Sequence, residues 1–138
     1  MNMTARYALA MLVLLLAVVQ VNGQHYIGMH KDKIPGALKM QNPDFRYDNS
    51  ALNDTYNYLK FVDDVSEQTM LFFLSDNDEC IYVRWISDYA NLTEITNTLN
   101  SKYKRTGEKE WTYSDSGKRF VINLEEGEWY FTLNIAQE

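Results

Sequence analysis

Met70–Leu74 reads MLFFL, Ser75–Glu79 reads SDNDE, and Cys80–Ile86 reads CIYVRWI. The first segment is an unbroken apolar run of strand length, which predicts a central strand covered on both faces. In the last segment Ile81, Val83 and Trp85 alternate with Tyr82 and Arg84, the period-two pattern of a strand with one buried face. Two such runs joined by a short Asp/Asn-rich segment predict an antiparallel hairpin. This hairpin decides the fold class, because the elements on either side can be assembled around it.

Upstream, Asn57, Leu59 and Phe61 alternate with Tyr56, Tyr58, Lys60 and Val62, predicting another strand. Before it, Met29 to Met40 forms a loosely periodic helical stretch containing Pro35-Gly36. Proline deprives a helix interior of a backbone hydrogen bond, so the helix is either kinked there or begins with Pro35 in its first turn. Asn42-Pro43-Asp44 ends it.

Downstream, Leu92, Ile95, Leu99 and Tyr103 form one helical stripe from about Asn91 to Lys104. Asn91 is placed to cap this helix, Lys102, Lys104 and Arg105 suit its negative end, and Gly107 supplies a stop. Three strand segments follow. Trp111–Tyr113 is short, Arg119–Leu124 alternates through Phe120, Ile122 and Leu124, and Glu128–Ile135 alternates through Trp129, Phe131, Leu133 and Ile135. Ser114–Gly117 and Glu125–Gly127 are the turns between them. Helix, strands, helix, strands suggests two tandem α-plus-hairpin units. Together they predict an α+β fold with a mostly antiparallel sheet and two helices packed on one face.

The chain has 138 residues and a formal charge of −6. Tyr7 to Val19 is an uninterrupted apolar run of 13 residues preceded by Arg6. A membrane span needs about 20 apolar residues, so the layout is that of a cleavable secretory signal over residues 1–23. Residues 24–138 then form a single α+β domain, secreted or periplasmic, with no stable membrane span after cleavage. Losing Arg6 makes that domain one charge more negative. Such acidity disfavours nucleic acid and anionic lipid as partners.

Cys80 is the only cysteine, which excludes an intramolecular disulfide. Small exported eukaryotic domains usually carry several, so the count points to a bacterial envelope. Asn53-Asp54-Thr55 and Asn91-Leu92-Thr93 match the N-glycosylation acceptor pattern, which matters only in a eukaryotic source.

Tyr26–Ile34 (YIGMHKDKI), Tyr58–Val62 (YLKFV) and Thr69–Leu74 (TMLFFL) resemble small uncharacterised exported proteins common in Bacteroidetes. The Gly28-Met29-x-Lys31-Asp32-x-Ile34 opening is also similar to the helix start in domains built like the beta-lactamase inhibitor protein and in outer-membrane assembly lipoproteins of related fold. The first likeness spans most of the chain after Gly23, the second only that opening. The resemblance implies a fold and a compartment, and carries over no catalytic residue.

No catalytic, cofactor or metal motif emerges. His25 and His30 lack the further ligands a zinc site needs. Asp76-Asn77-Asp78-Glu79 has the oxygen donors of half a calcium loop, but lacks the glycine and distal glutamate of an EF-hand; Asp and Asn also suit a tight turn. Glu125–Glu128 has the same two readings. Cys80 has no nearby base and reads as a small buried thiol. Lys102, Lys104, Arg105 and Lys109, with Lys118 and Arg119, form a basic cluster that helix-dipole complementarity or an acidic partner would explain.

The aromatic residues carry most functional promise. Tyr56 and Tyr58, Tyr82 with Arg84, and Tyr130 sit opposite the apolar rows of their strands. If helices cover one side of the sheet, these residues form the other, with the composition of an interaction surface; tyrosine also suits half-exposed strands through cross-strand pairing. The expected role is a non-enzymatic module binding a protein, peptide or small ligand. Two alternatives are a small metal-dependent or hydrolytic envelope enzyme using Asp76, Asp78 or His30, and a self-associating structural component.

Overall fold

A computed structural model describes residues 26–50 and 56–138. Within them lie helices α1 (Ile34–Gln41) and α2 (Leu92–Lys102) and eight strands. The strands are β1 (Arg46–Tyr47), β2 (Tyr58–Asp63), β3 (Gln68–Leu74), β4 (Cys80–Asp88), β5 (Lys104–Gly107), β6 (Glu110–Asp115), β7 (Lys118–Glu126) and β8 (Tyr130–Gln137). They form one antiparallel sheet in the order β1-β2-β3-β4-β8-β7-β6-β5. Each helix thus precedes four strands, and the two halves meet at β4 and β8. The expected tandem arrangement holds, with four strands per unit. The leader-like run, His25 and the Asn53 sequon lie outside the described residues.

Pro35 sits in the first turn of α1, so the helix starts at Ile34, later than Met29. The preceding segment is tied instead to the β3–β4 loop. Gly28 N donates to Cys80 O at 2.7 Å, and Cys80 N donates to Met29 O at 2.8 Å. Tyr26 is fully buried there, with its ring edge-on to Phe72 at 4.9 Å.

Each helix buries an i, i+4 aliphatic pair, Ile34/Leu38 and Ile95/Leu99, against the same side of the sheet. The sheet meets them with Phe61, Met70, Phe72, Val83, Trp111, Ile122, Phe131, Leu133 and Ile135. Trp111 also ties α2 to the sheet, donating from Nε1 to Asn100 Oδ1 at 2.9 Å.

Several local expectations are corrected. Ile81 is 54% exposed, because the β3–β4 register shifts there: Leu74 pairs with Cys80 while Phe73 pairs with Tyr82. The extra residue is a bulge, and Cys80 takes the buried position. MLFFL is not covered on both faces; Met70, Phe72 and Leu74 are buried, whereas Leu71 and Phe73 are half-buried on the other face. Trp129 is 70% exposed and precedes β8, whose core row is Phe131, Leu133 and Ile135. Glu125 and Glu126 belong to β7, leaving the turn to begin at Gly127.

The second helix ends at Lys102, with Tyr103 already extended. Lys104, Arg105 and Gly107 therefore lie in β5, and Gly107 is not a helix stop. Only Lys102 faces the helix dipole from the last turn. Arg105 instead lies over the Trp111 ring at 5.5 Å and donates to the Gly107 and Glu108 carbonyls. Asn91 makes no side-chain cap. A single 3-10 turn, Tyr89–Asn91, leads into α2 and is capped by Asp88, which accepts from Ala90 N at 2.7 Å. Asn91 Nδ2 donates to Ser66 O and Ser87 Oγ, both at 3.0 Å, contacts that a glycan on that nitrogen would displace.

The bulge yields a direct comparison. Ile81→Asp is expected to lower unfolding free energy by only about 1 kcal/mol, the span of strand propensity at an exposed position. Val83→Asp places a carboxylate in the core and is expected to cost several kcal/mol or prevent folding. Equal effects in a urea titration would mean the register is wrong.

Candidate functional site

The side of the sheet away from the helices is built by strand parity. Tyr58 pairs across to Phe73, Phe73 to Tyr82, and Tyr82 to Ala136. Tyr58, Phe73 and Tyr82 consequently stand in a row across β2, β3 and β4. Their ring centroids are spaced 5.7 and 5.6 Å apart, within the range of favourable aromatic contacts.

One row along, Arg84 pairs with Asn134. The Arg84 guanidinium carbon lies 6.0 Å from the Phe73 ring centroid and 5.8 Å from that of Tyr82. Asn134 Oδ1 accepts from Arg84 Nε at 3.1 Å and from the Tyr82 hydroxyl at 2.5 Å. One acceptor thus orients a phenol and a guanidinium together. No ion pair among the described residues involves Arg84, whereas nearby Lys60 lies 3.3 Å from Asp48 Oδ2. A half-buried guanidinium resting on aromatic faces, with its outer nitrogens uncommitted, is suited to bidentate contact with an acceptor group.

Tyr130 shares this face, opposite Asp88 at the start of β8, and is 56% exposed. Ala136, opposite Tyr82, lies six residues further along the strand, so Tyr130 stands about 20 Å from the ring row at ~3.4 Å per residue. Between them runs a groove of about 670 Å³, bounded by Tyr58 and Tyr130 with Val62, Leu71 and Ile86 along it. Tyr56 precedes β2, is exposed, and is not one of the rings in the row. Tyr58, Tyr82, Arg84 and Tyr130 therefore occupy one surface, to which Phe73 and Asn134 must be added. Phe73 was hidden inside an apolar run, and Asn134 in a strand notable for its apolar members.

Of the residues considered for metal or acid chemistry, Asp78 and His30 are engaged in local contacts. Asp78 accepts from Asn57 Nδ2 at 3.0 Å and pairs with Lys31 at 2.9 Å; these contacts hold its carboxyl below the usual carboxylate range, the asparagine hydrogen bond contributing most. His30 lies 3.3 Å from Asp32 Oδ2. Among the described residues no group of three His, Cys, Asp or Glu side chains is placed to hold a metal ion. Within the basic cluster Arg105 lies over Trp111, Lys109 is 2.7 Å from Glu126 and Arg119 is 2.8 Å from Glu138. No helix among the described residues is long and apolar enough to cross a membrane.

Cys80 is buried on the opposite side of the sheet from this surface, and burial pushes its thiol up to about 11. Burial likewise raises Tyr26 to about 12. Both groups release protons more readily in the unfolded chain, so their contribution is intact below pH ~9 and is lost as pH rises through ~11–12. Melting temperature is expected to fall across that alkaline window, and Cys80→Ala is expected to flatten its lower part. At pH 8 the native thiol should resist a disulfide reagent that modifies the urea-unfolded chain. Rapid stoichiometric labelling of folded protein would contradict the burial.

No family model matches the chain, and neither a curated protein nor a solved structure does.

Proposed function

We propose that this chain is an exported, non-enzymatic binding module that takes a protein partner on the uncovered face of its sheet. The observation that carries the reading is the arrangement of Arg84 over Phe73 and Tyr82, with Asn134 holding both Arg84 and Tyr82. Tyrosine and arginine are the residue types over-represented among energetic centres of protein interfaces. They are most effective when held in place beforehand, because less side-chain freedom is then lost on association. The ring row and the shared acceptor supply that ordering.

The groove between Tyr58 and Tyr130 favours a protein segment over a compact molecule, because it is open and alternates apolar Val62, Leu71 and Ile86 with charged Lys60, Asp64 and Glu67. Export rests on the leader-like run Tyr7–Val19 and on the resemblance of Tyr26–Ile34 to exported proteins.

Alanine at Tyr58, Tyr82 and Tyr130 together is expected to leave cooperative melting in place while abolishing retention of a partner from envelope extract. Arg84→Ala alone is expected to weaken binding by about 1–2 kcal/mol, the scale of an interface anchor. A photo-crosslinker at Ile86 should trap that partner, and one at Thr98 on α2 should not. Retention unchanged by the triple variant, or trapping only from Thr98, refutes the assignment.

A further inference from the structure

Eight strands at ~4.8 Å spacing make a sheet about 34 Å across, whereas two helices of ~10 Å diameter cover about 20 Å of it. Helices of 8 and 11 residues cannot close the difference. The uncovered strip is a cleft of about 310 Å³ between the end of α1 and the inner side of α2, over β3, β4 and β8.

Its floor is apolar: Met70, Trp85 and Ile135 from the sheet, with Ile95 and Leu99 from α2. Trp85 is only half-buried although it stands near the middle of the helix-covered face. The polar lining is more specific, since three amides there are each half-used. Gln68 Oε1 accepts from Trp85 Nε1 at 3.0 Å, leaving the Gln68 NH₂ to donate. Gln41 Oε1 accepts from the Tyr26 hydroxyl at 3.0 Å, leaving the Gln41 NH₂. Asn91 spends its NH₂ on Ser66 and Ser87 and keeps its carbonyl oxygen. Glu94 and Lys102, also at the lining, carry opposite charges and give the cleft no net sign.

We infer that this cleft is a small-molecule site for a neutral, flat, one- or two-ring compound bearing a carbonyl or similar acceptor oxygen. The ring stacks against Trp85 above the aliphatic floor, and the oxygen takes hydrogen bonds from the Gln41 and Gln68 amides. The volume lies at the low end of the ~300–1,000 Å³ typical of such pockets, which restricts the ligand to that size. A charged head would have no net countercharge among the lining residues. This site is on the opposite side of the sheet from the proposed partner surface and does not depend on it.

The probe is 6-propionyl-2-(dimethylamino)naphthalene, a neutral two-ring ketone whose emission shifts to the blue in apolar surroundings. Titration into the full chain is expected to give saturable one-site binding with blue-shifted emission. In ¹⁵N spectra the Trp85 indole N–H should move while that of Trp129 stays in place. Thr98→Trp, at an exposed position lining the cleft, should weaken binding at least tenfold, and the propyl analogue lacking the ketone oxygen should bind at least fivefold more weakly. The Tyr58/Tyr82/Tyr130 alanine variant should bind as the wild type does. The proposal is overturned by no saturable binding to 1 mM, by a shift at Trp129 in place of Trp85, or by loss in the tyrosine variant. Equal affinity for the propyl analogue overturns the assigned ligand class. Should Thr98→Trp fail to fold, the wild-type indole shifts and the analogue comparison decide alone.

Discussion

The ladder between β4 and β8 joins the two halves of the molecule. Its register runs from Tyr82 opposite Ala136 to Asp88 opposite Tyr130. A helix with four strands is near the size at which a chain buries too little apolar surface to be secure by itself. Joined, the halves place Val83 beside Ile135 and Trp85 beside Leu133, and one hydrophobic layer runs beneath both helices. The same ladder brings Asn134 to Tyr82 and Arg84 on the far side. It also brings Ile135 beside Met70 and Trp85 in the interhelical cleft. Both candidate surfaces are therefore products of one strand pairing, formed on its two faces.

The two surfaces differ in how much ordering has already been done. On the open face, aromatic rings in contact, a shared acceptor and a guanidinium laid over the rings limit the rotamers available before any partner arrives. In the cleft the ordering lies in the amides, Gln41 and Gln68 oriented by one internal hydrogen bond each and Asn91 by two, all left with one unused function. Such half-used amides discriminate more sharply than apolar walls, because a ligand lacking the matching group leaves a polar atom without its partner. The chain's acidity opposes long-range attraction of acidic partners, so the proposed recognition at Arg84 would rest on short-range contact.

Local alternation made the sheet legible. Phe120, Ile122 and Leu124 are buried as their spacing requires, and so are Phe131, Leu133 and Ile135. The hairpin built from MLFFL and CIYVRWI forms, and the facing of Tyr82 and Arg84 follows from it, as that of Tyr58 follows from the pairing of β2 with β3. Alternation failed where parity changes. Cys80 and Ile81 are adjacent and both apolar, and only pairing with Leu74 reveals which one is the inserted residue. The β5 strand was hidden because Lys104, Arg105 and Gly107 have no apolar row; as an edge strand exposed along its length, it needs none. Met70–Leu74 looked like a twice-covered strand because Leu71 and Phe73 are apolar, yet what shields Phe73 on its outer side includes Tyr58, Tyr82 and Arg84. The cleft lay beyond any linear reading, since it depends on the separation of two helices far apart in the chain.

The outermost strands set a limit on growth. On one side lies β1, only two residues long; on the other lies β5, four residues carrying two cations and a glycine. Among the described residues, neither is itself a long, flat, apolar border of the kind along which sheets of neighbouring copies zip together. At high local concentration the fold is thus biased away from fibre-like stacking through its rims. Any association would then fall to the broad faces, where side-chain chemistry can select among companions and bare backbone cannot.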